Sequence, residues 1–148
     1  MKIESQNLFN DINRAIIKCR GLYSAWSANH GISYHEMLVF YTIREFGFCT
    51  QKHICDSYLL PRQTMNNVIS GMRKNGLLVY SSEHSVGREK AFVLSDKGET
   101  YAAPLLDSLD ILESGALERL GSEKMAMLIQ LLSEYDKALY IAMEVKKE

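Results

Sequence analysis

The segment Pro61–Val79, PRQTMNNVISGMRKNGLLV, constrains the fold more than any other stretch of the chain. At roughly 100° per residue along a helix, Gln63, Asn66, Asn67, Ser70 and Lys74 share one narrow side. Met65, Val68, Ile69 and Met72 share the opposite side. A folded domain buries the second side. The first carries amides, a hydroxyl and a terminal cation, unlike the Glu/Lys mixture of an ordinary solvated helix. Asn and Gln side chains donate and accept at once, which is what reading base edges in a major groove requires. Pro61 suits the first helical turn, where a missing N–H is harmless. Gly76 suits the left-handed position just past the helix end. A plain amphipathic surface helix has the same periodicity, so this segment leaves both readings open.

The next residues narrow the choice. Leu77–Ser82 and Lys90–Leu94 are rich in Leu, Val, Tyr and Phe and predict two short strands, with Glu83–Glu89 as a polar turn containing Gly87. A helix followed at once by a β-hairpin with an arginine at its tip is the outline of a winged helix-turn-helix. Its recognition helix enters the major groove, and Arg88 reaches for the narrower, more negative minor groove. The competing reading of the hairpin is an ordinary surface turn with a solubilising charge.

Long helices flank this unit. Leu8, Ile12, Ala15, Ile16, Cys19, Tyr23 and Trp26 recur every three or four residues, and Gly31 ends the stripe. Ser33 and Glu36 have the spacing of a capping box for the next helix, whose Met37, Leu38, Phe40, Tyr41 and Phe46 predict the domain core. Gly47 ends that helix and Thr50 caps the following one, with Ile54, Cys55 and Tyr58 turned inward. Ser95 caps a helix carrying Tyr101, Leu105, Leu109 and Leu112 and kinked at Pro104. Gly121 and Ser122 precede a last helix with Leu128, Ile129, Leu132, Tyr135 and Leu139. Three long apolar stripes exceed what one small core can cover. The fold expected is mainly α with a small β-hairpin, an α+β winged helix-turn-helix.

These motifs together resemble the MarR family of bacterial transcriptional regulators. The likeness covers nearly the whole chain. It rests on SYHEMLVFYTIREFG, then TQKHICDSYLLPRQTMNNVISGMRKNGLLVY, then the hairpin, then VLSDKGETYA opening a long helix. The resemblance implies a single domain over 1–148. Its DNA-binding lobe spans 33–94, and its dimerisation helices are 1–30 and 95–148, intertwined in a homodimer. It implies double-stranded DNA with a pseudo-palindromic operator as partner. The residues placed toward DNA are Thr50, Gln51, Lys52, Arg62, Gln63, Thr64, Asn66, Asn67, Ser70, Arg73, Lys74, Arg88 and Lys90. Two positions depart from the family. The acid usual two residues before the wing arginine is Val86 here, so nothing in the local sequence holds Arg88, and a wing mobile until DNA arrives is expected. The turn Ser57-Tyr58-Leu59-Leu60 has no glycine.

Charge is distributed to suit this reading. The 148 residues carry a formal net charge of -1, which by itself argues against nucleic acid. Yet residues 61–90 hold five basic side chains (Arg62, Arg73, Lys74, Arg88, Lys90) against Glu83 and Glu89, whereas residues 91–148 hold six basic and eleven acidic. The positive excess sits on the reading helix and wing. No apolar run approaches the ~20 residues of a membrane span, and the N-terminus has no apolar signal core. Three cysteines without close pairing fit a reducing compartment, so a cytoplasmic location is expected.

No phosphate-cradling glycine loop, HExxH, nucleophile elbow or CxxC occurs, so an enzyme is not expected, nor a cofactor. His30, His35 and Glu36, or His53 beside Cys49 and Cys55, lack convincing metal-ligand spacing, and no metal site is expected. Three functions stay open: a repressor released by a small molecule, a redox-switched version, and an interaction module that keeps the fold without DNA binding. For the first, the resemblance implies a small aromatic effector; Tyr23, Trp26, Met37, Phe40 and Tyr41 either line its cavity or are plain core. For the second, Cys19 with Tyr23 one turn on resembles the organic-hydroperoxide-sensing branch of the family, against the alternative of an inert thiol.

Overall fold

The computed structural model describes the backbone of residues 2–145 and the side chains of residues 4–145. In chain order the elements are α1 (Lys2–Asn29), α2 (Tyr34–Phe46), β1 (Cys49–Thr50), α3 (Gln51–Tyr58), α4 (Arg62–Lys74), β2 (Leu78–Val86), β3 (Glu89–Leu94), α5 (Asp96–Leu120) and α6 (Ser122–Glu144). Two compact units result, one up to Leu105 and one from Leu106 on.

The first unit is the winged helix-turn-helix expected from the sequence. Ser33 forms the capping box: its Oγ accepts the Glu36 N–H at 3.1 Å, and Glu36 Oε2 accepts the Ser33 N–H at 2.7 Å. Gly47 closes α2 in the left-handed region at φ 82. Thr50 caps α3 by accepting the His53 N–H at 3.0 Å. The core gathers Met37, Val39, Phe40 and Ile43 of α2, Ile54 and Cys55 of α3, Met65, Ile69 and Met72 of α4, and Ala91 and Phe92 of β3. Ser27 brings the end of α1 onto α2: its buried hydroxyl donates to the Tyr23 carbonyl at 2.8 Å and lies 3.5 Å from Met37 Sδ.

The sheet is antiparallel in the order β1-β3-β2. Its hairpin is longer than the sequence suggested. The register runs Leu78↔Leu94 to Ser81↔Ala91, then jumps to Val86↔Glu89, so β2 carries three surplus residues in a bulge. Ser85 bridges the gap, accepting the Ala91 N–H at 2.9 Å and donating to the Ser81 carbonyl at 2.6 Å. The polar run Glu83–Glu89 is therefore mostly strand, and the turn itself is Gly87-Arg88.

Three further details differ from expectation. Pro61 stands at the N-cap of α4 rather than inside its first turn. Leu59 takes the place a glycine would have, in the left-handed region at φ 51, with its side chain almost wholly in solvent. Phe46 and Tyr58 are partly exposed rather than core.

α5 begins on close contact. Ser95 Oγ accepts the Gly98 N–H at 2.9 Å and donates to the Gly76 carbonyl, while Lys97 Nζ donates to the Asn75 carbonyl at 2.7 Å. The second unit consists of the rest of α5 and α6. Among the described residues of α6 none is buried. Leu8, Ile17 and Leu22 on α1, Ile111 on α5, and Met127, Ile129, Tyr140 and Ile141 on α6 stand exposed in the single chain, more apolar surface than a self-sufficient domain leaves in water. No helix among the described residues is long and apolar enough to cross a membrane.

A Cβ at Gly98 would lie 2.1 Å from the Leu77 carbonyl oxygen, whereas one at Gly71, inside α4, would meet nothing within 4 Å. Gly98→Ala is expected to destabilise the protein by about 2–3 kcal/mol through forced backbone displacement. Gly71→Ala is expected to leave stability unchanged or raise it by up to about 1 kcal/mol from helix propensity. Urea unfolding of both variants checks the opposite signs.

Candidate nucleic-acid interface

α4 presents the two faces its sequence implies. Met65, Ile69 and Met72 are buried, Val68 is half-buried, and Gln63, Asn66, Asn67, Ser70 and Lys74 are exposed. The amides are ordered along the exposed side: Gln63 Nε2 donates to Asn67 Oδ1 at 2.9 Å, one turn on. Thr64 is half-buried at the edge of the same face.

Between α4, the start of α3 and the wing runs a polar groove of about 340 Å³. Eight of the thirteen expected DNA-facing residues line it: Gln51, Lys52, Arg62, Asn66, Ser70, Arg73, Arg88 and Lys90. Gln63, Asn67 and Lys74 lie outside its lining, on the exposed face of α4. Thr50 is buried and acts on the groove through the helix it caps. Glu89, Ile69 and Phe92 also line the groove and were not anticipated. Ile69 and Phe92 have the hydrophobicity of core residues and form the floor. Glu89 had no local signal, because its partner lies in α3.

The cations are held in different ways. Lys52 pairs with Asp56 at 2.5 Å; this bond raises the lysine pKa and lowers the carboxylate pKa. Both side chains are well exposed, so the pair adds little to stability. Arg73 lies over the Phe92 ring, 5.0 Å from its centroid, which turns its guanidinium along the groove. Gln51 Nε2 donates to the Arg62 carbonyl at 2.8 Å and ties the start of α3 to the start of α4. Arg88 stands exposed at the wing tip, and none of the described residues holds its guanidinium.

The five residues expected at an effector cavity separate. Tyr23, Met37 and Tyr41 line one recess of about 230 Å³, together with Tyr34, Leu38 and Tyr58. Phe40 is instead core, 6.2 Å from the Tyr101 ring. Trp26 stacks on His30 with centroids 4.1 Å apart. Sequence reasoning missed Tyr34 and Tyr58, each of which lies at a helix end. Arg20 sits over the Tyr34 ring at 5.2 Å and Arg44 over the Tyr41 ring at 4.8 Å, so cations flank the recess. A wider, more open groove of about 790 Å³ lies between His30 and the first turns of α5, lined by Lys97, Thr100, Tyr101, Pro104 and Leu105 among others. Cys19 is exposed on α1, and Cys49 and Cys55 are buried. His53 packs edge-on against Phe46, with centroids 4.6 Å apart.

The architecture has many solved counterparts. NMB1585, a MarR family regulator from Neisseria meningitidis, shares 23% sequence identity over 93% of this chain and 96% of its own, with a TM-score of 0.84. NadR in complex with 4-hydroxyphenylacetate shares 22% over 84% and 91%, with a TM-score of 0.70. Overoxidized AbfR bound to DNA shares 19% over 94% and 99%, with a TM-score of 0.68. The fold is that of the MarR-type winged helix-turn-helix. No protein-family profile matches the chain, and no curated protein matches its sequence.

Burial pushes the Cys49 thiol from 9.0 up to about 12. A thiol whose folded pKa is raised supports stability fully below the unfolded value and loses that support as pH climbs toward the folded one. Stability is therefore expected to fall above pH 9 by up to about 1.4 kcal/mol per pH unit from this group, and Cys49→Ala should flatten that fall. Urea midpoints measured on either side of pH 9 for both proteins check it.

Proposed function

We propose that this protein is a MarR-family transcriptional regulator that binds a pseudo-palindromic site on double-stranded DNA as a homodimer. The observation that carries the reading is the groove in which amides of α4 and cations from α3, α4 and the wing converge. α4 suits the major groove, with Gln63, Asn66 and Asn67 toward base edges. Lys52, Arg62, Arg73, Lys74, Arg88 and Lys90 suit the phosphates and the adjoining minor groove, with Thr50, Gln51, Thr64 and Ser70 in support. AbfR was solved bound to DNA with the same fold, which favours this use of it here. The exposed apolar faces of α1 and α6 favour a second copy as their cover.

Repression lifted by a small molecule is the regulatory mode this reading favours. The tyrosine-lined recess is below the ~300–1,000 Å³ of ordinary ligand sites, so it suits a single aromatic ring. The flanking Arg20 and Arg44 favour an acidic substituent on that ring. NadR, of the same fold, was solved with 4-hydroxyphenylacetate, a molecule of this kind. Peroxide is the second candidate signal, because Cys19 is exposed one helical turn before Tyr23, which lines the recess. Cys19→Ser should abolish a peroxide response and leave an aromatic-acid response intact.

Selection of bound fragments from genomic DNA, followed by fluorescence anisotropy across a salt series, tests the reading. Light scattering should give twice the 16.9 kDa chain mass. Asn67→Ala should relax preference at one or two base positions per half-site, removing about 1–3 kcal/mol of discrimination. Arg88→Ala should weaken binding to all sequences and lower the salt slope by about one unit. A monomer of wild-type stability, or no salt-dependent affinity for any duplex, would sink the proposal.

A further inference from the structure

Val86 leaves the wing without an acid ahead of Arg88, yet the chain has one immediately after it, at Glu89. That side chain is half-buried, and its Oε1 accepts the N–H of Lys52 at 3.1 Å across a sequence separation of 37 residues. Lys52 belongs to the first turn of α3, where no intrahelical carbonyl is available to a backbone N–H. Thr50 Oγ takes the N–H of the next residue, His53. Two side chains from different elements thus divide the first turn between them. The ladder pair Thr50↔Ala91 sets the geometry, because it brings the start of β3 beside the start of α3. The partial positive charge of a helix start also favours a carboxylate there. Arg88, by contrast, has no partner of its own among the described residues.

We propose that Glu89 is the positioning residue of the wing: its bond to the Lys52 N–H fixes the hairpin against α3 and so sets where Arg88 enters the groove. The proposal rests on the DNA-binding reading above. A carboxylate among groove cations repels phosphates, so its charge opposes DNA while its geometry assists. The two effects separate in substitutions. Glu89→Gln keeps an acceptor oxygen and removes the charge; Glu89→Ala removes both.

The test uses the full-length protein and two measurements. Amide hydrogen exchange without DNA should show the Lys52 N–H exchanging faster in Glu89→Ala than in wild type, with Glu89→Gln restoring protection. Anisotropy with a short mixed-sequence duplex should show Glu89→Gln binding at least as tightly as wild type and Glu89→Ala about fivefold more weakly, the scale of one lost hydrogen bond. Arg88→Ala should lose most of its effect in the Glu89→Ala background. Unchanged Lys52 exchange in Glu89→Ala, equal binding by the two Glu89 variants, or an undiminished effect of Arg88→Ala would each overturn the proposal. Wild-type protein that binds no duplex would overturn the DNA reading and the role of Arg88 with it. Exchange alone would then still decide whether Glu89 holds the hairpin.

Discussion

The burial of Met65, Ile69 and Met72 decides which way α4 faces, and the candidate interface depends on that rotation. Each of the three is at most 4% exposed, and burying side chains of this size stabilises by roughly 1.5–3 kcal/mol apiece. Turning the helix by one residue would pull part of this stripe into water and push Asn66 or Ser70 into the core. No interaction on the polar side competes on that scale: the Gln63–Asn67 bond is solvated and contributes little net stability. The apolar stripe therefore sets the orientation, and the amides are carried outward as a consequence. Gly98 reinforces the arrangement from behind, because its missing side chain lets α5 start against the Leu77 carbonyl, just past the end of α4.

Electrostatics act on this frame as a second, weaker influence. The chain as a whole is close to neutral, but the groove is not. Lys52 is shared with Asp56, and Arg73 is laid along Phe92, so neither is a fully solvated charge. Arg62, Arg88 and Lys90 are the more available cations. Phosphates that approach the groove meet a surface whose positive charge comes from α3, α4 and the wing. Each element is fixed by a contact that is not itself ionic: the Thr50 cap, the Gln51–Arg62 bond, the α4 stripe and the β1–β3 ladder. Salt can therefore weaken binding without loosening the protein that does it.

Features that depend on local chemistry were legible in the sequence. The capping box at Ser33, the Thr50 cap, the left-handed Gly47 and Gly76, and the two faces of α4 all follow from residues within four positions of one another. What could not be read depends on distant partners. The sequence predicts too short a hairpin because Glu83–Glu89, Glu-His-Ser-Val-Gly-Arg-Glu, has the composition of a turn. In the structure the Ser85 hydroxyl replaces a ladder bond and lets strand pairing resume beyond three surplus residues. Leu59 gave no sign of a left-handed backbone, which a glycine would have announced. Tyr34 and Tyr58 reach the recess only because the ends of α2 and α3 meet α1 there, and periodicity within one helix says nothing about which ends meet. The expectation of a mobile wing rests on Val86, two residues before Arg88, whereas the group that Glu89 meets, the Lys52 N–H, lies 37 residues away in sequence.

The modest charge of one lobe explains why the exposed apolar helices matter to the proposed function. A local excess of about three cations neutralises about three phosphates, giving a salt slope near −2.7 for a single lobe. That is characteristic of weak, non-specific association. Two lobes joined rigidly roughly double the slope. The second lobe also binds as an intramolecular event at millimolar effective concentration, which multiplies affinity by about 10²–10⁴ without any new contact. The long apolar faces of α1 and α6, uncovered in one chain, are the parts with enough surface to make such a joint. On the proposed reading, a molecule seated beside Tyr23 or Tyr41 weakens binding without approaching the groove. Altering the spacing of two lobes by a few ångströms forfeits the intramolecular advantage, and what remains is the weak affinity of each lobe alone.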